Sequence, residues 1–511
     1  MTTDSRSGGA NPAIGWLVLA LTLLALLVNV WGIKKDLPYI PENDEKKFAQ
    51  AAVRIAASGS ANPGWFGHPG STVIYPAAAT YRLLHGADAQ ALFDADYSQF
   101  YLIGRLVAIL YATLSIPLIY LLGRKAFGVK AGLIGAWLCI FNPLILWHTQ
   151  IMRTDSAALF FTALSLWRIL ETYDRPTPRN HILAGLAIGL SISSRYLMGT
   201  LALVLLGVDA VLLIRAKGSR KQTALAAVAG MAAIGITFAL TTPYFFLDFR
   251  TALSSLRSEA RTASLGADGL TPSGNLLWYV TRALPYALTW PQYALAIAGA
   301  GLVLVQRRHR QVLLLAFAGG FLACISMLAL HWERWLIPIL PIFALLAAHT
   351  LVVASRRAFK SSKLQMVSLG LCVVVVTIWP ARDVFLQNYR DSHPSTRVLA
   401  REWMIDHVPA RSRIFQEWYT AALPGTDFDV TEKFTLAEAA TPEQYREEGY
   451  DYLVASDAVY ARYYAEADRY PERVRFYDAL FACDCLVKEF KPSLTQGGWT
   501  IRIYRMGDAP P

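Results

Sequence analysis

Residues 182–214 read ILAGLAIGLSISSRYLMGTLALVLLGVDAVLLI, and how this stretch is divided decides the topology of the whole chain. Thirty-three residues are too many for one helix across a hydrocarbon core, which takes about 20 apolar residues with a range of roughly 17–25. The polar break at Ser193-Ser194-Arg195 allows two short helices that turn near Arg195–Gly199. Charge decides between one span and two. With two spans and a cytoplasmic N-terminus, every short basic loop falls on the cytoplasmic side. Those loops are Arg124/Lys125/Lys130, Arg175/Arg179, Arg215/Lys217/Arg220/Lys221, Arg307/Arg308/Arg310 and Arg356/Arg357/Lys360/Lys363. A single span would move the last three clusters outside, against the positive-inside rule.

Composition agrees with a membrane chain. Of 511 residues, 54% are hydrophobic and only 17% are charged, where an ordinary soluble domain carries roughly 25% charged residues. The mean hydropathy is +0.34. These figures exclude a disordered chain, a fibrous repeat and a disulfide scaffold. The net charge of +11 is not a nucleic-acid signal, because it is unevenly spread. Residues 381–511 hold 16 Lys+Arg and 21 Asp+Glu, a net of −5, so the excess sits in the apolar part.

Eleven spans are expected, near Ile14–Ile33, Phe100–Leu122, Ala131–Trp147, Ser156–Leu170, Ile182–Ser194, Thr200–Ile214, Thr223–Thr242, Tyr286–Gln306, Val312–Leu330, Leu336–Val353 and Leu364–Pro380. The expected fold is an all-α polytopic membrane domain with a small soluble α/β domain. Residues 1–13 form a cytoplasmic tail, 14–380 the membrane domain and 381–511 the C-terminal domain. Two outer loops, 34–99 and 243–285, flank the same face. The first carries two interfacial helices. In one, Lys46, Lys47, Gln50 and Arg54 share a polar face. In the other, Tyr75, Tyr81 and Arg82 are expected at headgroup depth. The C-terminal domain should contain a helix at Thr396–His407 and strands at Tyr450–Ala455, Cys485–Phe490 and Trp499–Tyr504. Cys139, Cys324 and Cys372 read as core fillers, while Cys483 and Cys485 lie on the oxidising side.

Ionisable residues gather at the outer face. Pro41-Glu42-Asn43-Asp44-Glu45 opens the first loop, and Arg105 lies in the outer half of the second span. Arg153 and Asp155 form a short outer turn, Arg195 stands at the turn after the fifth span, and Glu333-Arg334 lie at the turn after the ninth. Each such group is expensive at the centre of a span, by about 2.5–3.5 kcal/mol, and so usually faces a polar cavity. A helix N-terminus accounts for the acidic cluster alone, and snorkelling accounts for any single arginine, but neither accounts for the set. Arginines with carboxylates at the outer leaflet suit an anionic lipid-linked substrate. A phosphate leaving group needs fixed positive charge as its own charge builds up, and an attacking hydroxyl needs a carboxylate to take its proton.

The ordered motifs resemble those of the GT-C superfamily of polyprenyl-phosphate-sugar glycosyltransferases, nearest to protein O-mannosyltransferases and bacterial lipid A aminoarabinose transferases. Asp44-Glu45 is similar to the family's Asp-Glu pair, and Gly67-His68-Pro69-Gly70 to its His-Pro-Pro element. Gly104-Arg105-Leu106, Gly123–Gly128, Arg153-Thr154-Asp155, Arg195-Tyr196 and Glu333–Pro338 continue the series over roughly the first 350 residues. Gly70 and Arg195 depart from the usual proline and lysine. The resemblance implies that Asp44 is the general base, with Asp155 orienting the sugar or a cation. It implies that Glu45, with His68 as a weaker candidate, positions the acceptor or a metal. Arg105 and Arg195, with Arg153 or Arg334, would bind the donor phosphate. It leaves a divalent cation open and makes the metal ligands unknown. The implied partners are a polyprenyl-phosphate-linked sugar donor, a glycan, lipid or protein acceptor, and membrane lipids, with no nucleic acid. The implied setting is the bacterial inner membrane, with the C-terminal domain periplasmic.

Two other classes fit these residues less well. A lipid or solute transporter predicts midplane charges and paired inverted repeats, whereas these charges sit at the outer ends. A non-catalytic envelope-assembly protein gives no reason for the Asp44, Asp155 and arginine set.

Overall fold

The computed structural model describes residues 12–39, 43–216, 219–439 and 441–507, with the side chains of Asn43 and Asp44 outside the description. The expected tail over residues 1–11, Glu42 and Lys217 therefore lie outside it too. The chain divides into two compact units.

The first unit comprises Met1–Trp31, Glu42–Thr262 and Gly269–Val384, and its described residues are mainly helical. Among the described residues, seven helices are long and apolar enough to cross a membrane, or nine if two bent pairs each count as one span. A helix occupies each of the eleven expected positions. The two that fall short of that criterion are Asp155–Asp174 and Pro178–Ser194. Ile182–Ile214 does divide at Arg195, whose backbone is extended between Pro178–Ser194 and the 3-10 turn Tyr196–Gly199. The third expected span is bent by 60° between Val129–Ile140 and Pro143–Thr149. Pro143 has no N–H to continue the ladder, and Asn142 caps the new helix by accepting from Ile145 N–H at 3.0 Å.

Burial sorts the helices into inner and outer. The stretch Glu333–Ala358 is 89% buried over its most apolar window and forms the middle of the unit, whereas Pro12–Val30 is 17% buried. The helices Pro178–Ser194 and Arg220–Thr241 pack so closely that a Cβ on Gly185 would lie 2.2 Å from the Gly230 carbonyl oxygen. Such small-residue contacts let helices associate where lipid supplies no hydrophobic drive.

In the first outer loop, helix Asn43–Ser58 exposes Lys46, Lys47, Gln50 and Arg54 and buries Phe48, Ala52, Val53 and Ala56, as its pattern predicts. The second helix, Ser71–His85, departs from expectation at Tyr81, which is fully buried. Its hydroxyl donates to the Phe100 carbonyl at 2.6 Å, a partner that removes the need for headgroup water.

The second unit groups Gly32–Pro41, Ala263–Asp268 and Phe385–Pro511. The division after Val384 falls within helix Ser362–Asp391, which runs unbroken past Pro380. Two short pieces of the outer loops join this unit. Lys35 pairs with Asp391 at 3.2 Å, and Asp268 with Arg469 at 2.9 Å. The unit is built on a five-stranded sheet of β1 (Arg413–Glu417), β2 (Asp429–Lys433), β3 (Tyr452–Ser456), β4 (Leu486–Phe490) and β5 (Ile501–Arg505). The spatial order is β2-β1-β3-β5-β4. The β1 strand is parallel to both β2 and β3, while β5 is antiparallel to both β3 and β4. Two apolar clusters cover the sheet, one around Phe415, Leu453 and Tyr504 and the other around Ile414, Val454 and Ile503. Alternate residues of the same strands supply them. Cys483 and Cys485 are joined by a disulfide.

Candidate active site

Two buried ionic groups sit on either side of one short turn, residues 150–154. The first joins Glu45 to Arg105. The guanidinium donates from Nε to Oε1 at 2.9 Å and from Nη2 to Oε2 at 2.8 Å, and both side chains are essentially inaccessible. Glu45 Oε1 also accepts the Met152 backbone N–H at 2.6 Å. One carboxylate therefore ties helix Asn43–Ser58, helix Ser98–Phe127 and the turn together. Asp44 precedes it in the first turn of the same helix.

The second group is centred on Asp155, the first residue of helix Asp155–Asp174, where the helix dipole favours an acidic side chain. Arg195 Nη1 donates to Asp155 Oδ1 at 2.8 Å, and Arg153 Nε lies 3.4 Å from Oδ2. Asp155, Arg153 and Arg195 are all buried. Arg334 adds its charge to the same field and stacks over Trp332 at 5.2 Å.

His68 lies in the loop between the two outer-loop helices, half-buried and packed against Phe48 and Trp65 at 6.3 and 5.8 Å. Burial, followed by the charges of Arg195, Arg334 and Arg153, pushes its pKa down to about 3. It is a neutral imidazole beside three cations. The sequence-read residues Asp155, Arg153, Arg195, Arg334 and His68 thus share one electrostatic neighbourhood. Glu45 and Arg105 form an adjoining pair, joined to it through Met152.

Three contributors were missed by sequence reasoning. His148, on the short helix before the turn, lies in the field of Asp155, Arg153 and Arg334. Its place five residues before Arg153 was the available signal. Gln150 donates to the Asn29 carbonyl at 3.2 Å and fixes the start of the turn. The Tyr279 hydroxyl accepts the Trp332 N–H at 3.2 Å and holds the turn that carries Arg334. Nothing in the apolar run around Tyr279 marks it. Among the described residues no three His, Cys, Asp or Glu side chains converge as a metal site.

A family model described as dolichyl-phosphate-mannose-protein mannosyltransferase matches residues 99–244, the segment that carries Arg105, Arg153, Asp155 and Arg195. Among solved structures, the chain is similar to ArnT from Cupriavidus metallidurans bound to undecaprenyl phosphate. That likeness has a TM-score of 0.56 at 13% identity, over 97% of this chain and 99% of that one. It is also similar to the archaeal oligosaccharyltransferase AglB from Archaeoglobus fulgidus in complex with an inhibitory peptide and a dolichol-phosphate. Here the TM-score is 0.52 at 14% identity, over 95% of this chain and 74% of that one. A search of curated protein sequences finds no match. At these identities the likeness is one of fold alone. The chain is a multi-pass membrane protein whose fold is similar to that of these two membrane enzymes.

Proposed function

We propose that the protein is an inverting membrane glycosyltransferase that moves a sugar from a polyprenyl-phosphate carrier to a hydroxyl acceptor on the extracytoplasmic side. The observation that carries this reading is the buried Asp155 with Arg153, Arg195 and Arg334 around it, one turn away from the carboxylate pair Asp44-Glu45. Fixed guanidinium groups in a site shielded from water suit a departing phosphate oxygen. Undecaprenyl phosphate and dolichol-phosphate are bound by the two structural neighbours named above.

In this mechanism Asp44 takes the proton of the acceptor hydroxyl as its oxygen bonds to the anomeric carbon. The bond from that carbon to the phosphate oxygen breaks on the opposite face. The electron pair leaves with the polyprenyl phosphate, and the anomeric centre inverts. Arg195, Arg153 and Arg334 hold the phosphate, while Asp155 orients them and the sugar. Glu45 and Arg105 occupy each other, so their part is to set the position of Asp44 and add charge from behind it. Glu45 is held by Arg105, and Asp155 by Arg195 and Arg153, so these two carboxylates do not fit a divalent cation in this arrangement.

The orientation follows from the basic loops, and the Cys483–Cys485 disulfide supports an oxidising compartment for the C-terminal unit. The test is transfer by the full chain in nanodiscs, with mass spectrometry of the co-purified lipid to identify the carrier. Asp44→Asn should leave lipid binding intact and lower transfer by roughly 10²–10⁴-fold. Unchanged transfer would remove Asp44 from the mechanism.

A further inference from the structure

We infer that the C-terminal unit carries its own saccharide-binding site, at the carboxyl ends of its three parallel strands, selective for a sugar with an acidic substituent. Each of these strands delivers one part of it. Trp418 and Tyr419 directly follow β1, Phe434 directly follows β2, and Arg462 lies on helix Asp457–Ala465, which directly follows β3.

The topology marks this rim. The chain leaves β1 for β2 on one side and reaches β3 on the other, so β1 is where the strand order reverses. In open sheets with parallel strands, ligands bind outside the carboxyl ends at such a reversal.

The side chains there are arranged for a ligand with a flat apolar face. Trp418 is 42% exposed and meets Phe434 edge-on, with ring centres 5.5 Å apart. The Arg462 guanidinium lies over Tyr419 at 5.7 Å and over Phe434 at 6.0 Å. Among the described residues Arg462 forms no ion pair, so its charge is not neutralised within the unit. Tyr419 has φ +65°, a conformation that side chains with a Cβ seldom adopt and that gathers at functional sites.

Beneath the rim the backbone is locked. Glu417, the last residue of β1, is fully buried. It accepts the N–H groups of Leu436 at 2.9 Å and Ser456 at 2.8 Å, and the Tyr477 hydroxyl. One carboxylate thereby fixes the ends of β1 and β3 and the segment that follows β2. A rigid platform of this kind spares a ligand the ordering penalty of a mobile loop.

An exposed indole stacks on the C–H face of a sugar ring, and an aromatic-stacked guanidinium donates to a carboxylate or phosphate on it. The inference deepens the function proposed above, since it makes the acceptor an acidic glycan, and it is separable from that reading. The experiment uses the full chain in nanodiscs, titrated with oligogalacturonide as the acidic probe and maltooligosaccharide as the neutral one. Binding is followed by saturation-transfer NMR. The acidic probe should bind more tightly. Trp418→Ala should weaken it by about tenfold, and Arg462→Gln should reduce it to the level of the neutral probe. Trp499→Ala, a change at another exposed tryptophan of the same unit, should leave it unchanged. The inference is overturned if neither probe binds, if the two bind equally, or if Trp418→Ala binds like wild type. Sugar release from the lipid donor is measured in parallel. Turnover without saccharide binding overturns this inference alone, and saccharide binding without turnover supports it while counting against the proposed transferase.

Discussion

Glu45 holds Arg105 through two hydrogen bonds, 2.9 and 2.8 Å long, across 60 positions of sequence and with both groups out of contact with solvent. Glu45 is thus neutralised from within the fold. Removing one member of a buried pair leaves a bare charge and costs about 3–5 kcal/mol, whereas removing both is far milder. Arg105→Ala and Glu45→Gln should therefore each lower the unfolding temperature markedly. The double variant should lose clearly less than the sum. Additive losses in thermal unfolding of the detergent-solubilised protein would show that the two groups do not depend on each other.

Gly104 is required by the neighbouring turn. A Cβ there would lie 2.2 Å from Met152 Sδ and 2.6 Å from its Cγ, and Met152 supplies the N–H that Glu45 accepts. Gly104→Ala should destabilise the protein by about 1–3 kcal/mol through overpacking. Transfer should fall with it, since the turn leads directly to Arg153 and Asp155. Met152→Ala in the same background opens space and should restore part of both. A double variant no better than Gly104→Ala would refute the steric account.

Acid should weaken the outer loop through His68. Its folded-state pKa of about 3 lies below the ordinary 6.5, so between those values the unfolded chain binds the extra proton. The stability this contributes is present above about pH 6.5 and is lost as pH falls towards 3. His68→Asn should flatten the dependence of unfolding temperature on pH between 4 and 6.5. An equally steep curve in the variant would assign the acid sensitivity to other groups.

The C-terminal unit should respond in the opposite sense. Burial raises Glu417 from 4.5 to about 7, against the lowering influence of Leu436 N–H, the Tyr477 hydroxyl and Ser456 N–H. Here the folded state holds the proton between those values, so stability declines as pH rises from about 4.5 through 7. Hydrogen exchange in β1 and β3, corrected for intrinsic rates, should show protection decreasing between pH 5 and pH 8. Protection that stays constant over that range would show that Glu417 is ionised throughout.

Much of the membrane unit is legible because lipid imposes a simple rule. Long apolar runs become helices, basic residues mark one face, and the break at Arg195 in Ile182–Ile214 appears where charge required it. Arg153, Asp155, Arg195 and Arg334 stand out since an ionisable group is conspicuous against apolar neighbours. Pairing is another matter. Nothing near Glu45 points to Arg105, and nothing near Tyr279 points to Trp332, because such contacts are fixed by how distant helices pack. In the C-terminal unit, Thr396–His407 is read to the residue, and three strands are found within about two residues. The other two were not expected. Arg413–Glu417 and Asp429–Lys433 begin and end on charged residues, which leaves little apolar pattern to mark them.

The order of the sheet has a consequence for biosynthesis. The strand latest in sequence, Ile501–Arg505, lies between β3 and β4. During N-to-C synthesis the growing domain therefore waits with an open slot, its β3 and β4 margins unsatisfied and adhesive. A ribosome that stalls before residue 501 releases a product with that gap unfilled, ready for self-association or proteolysis.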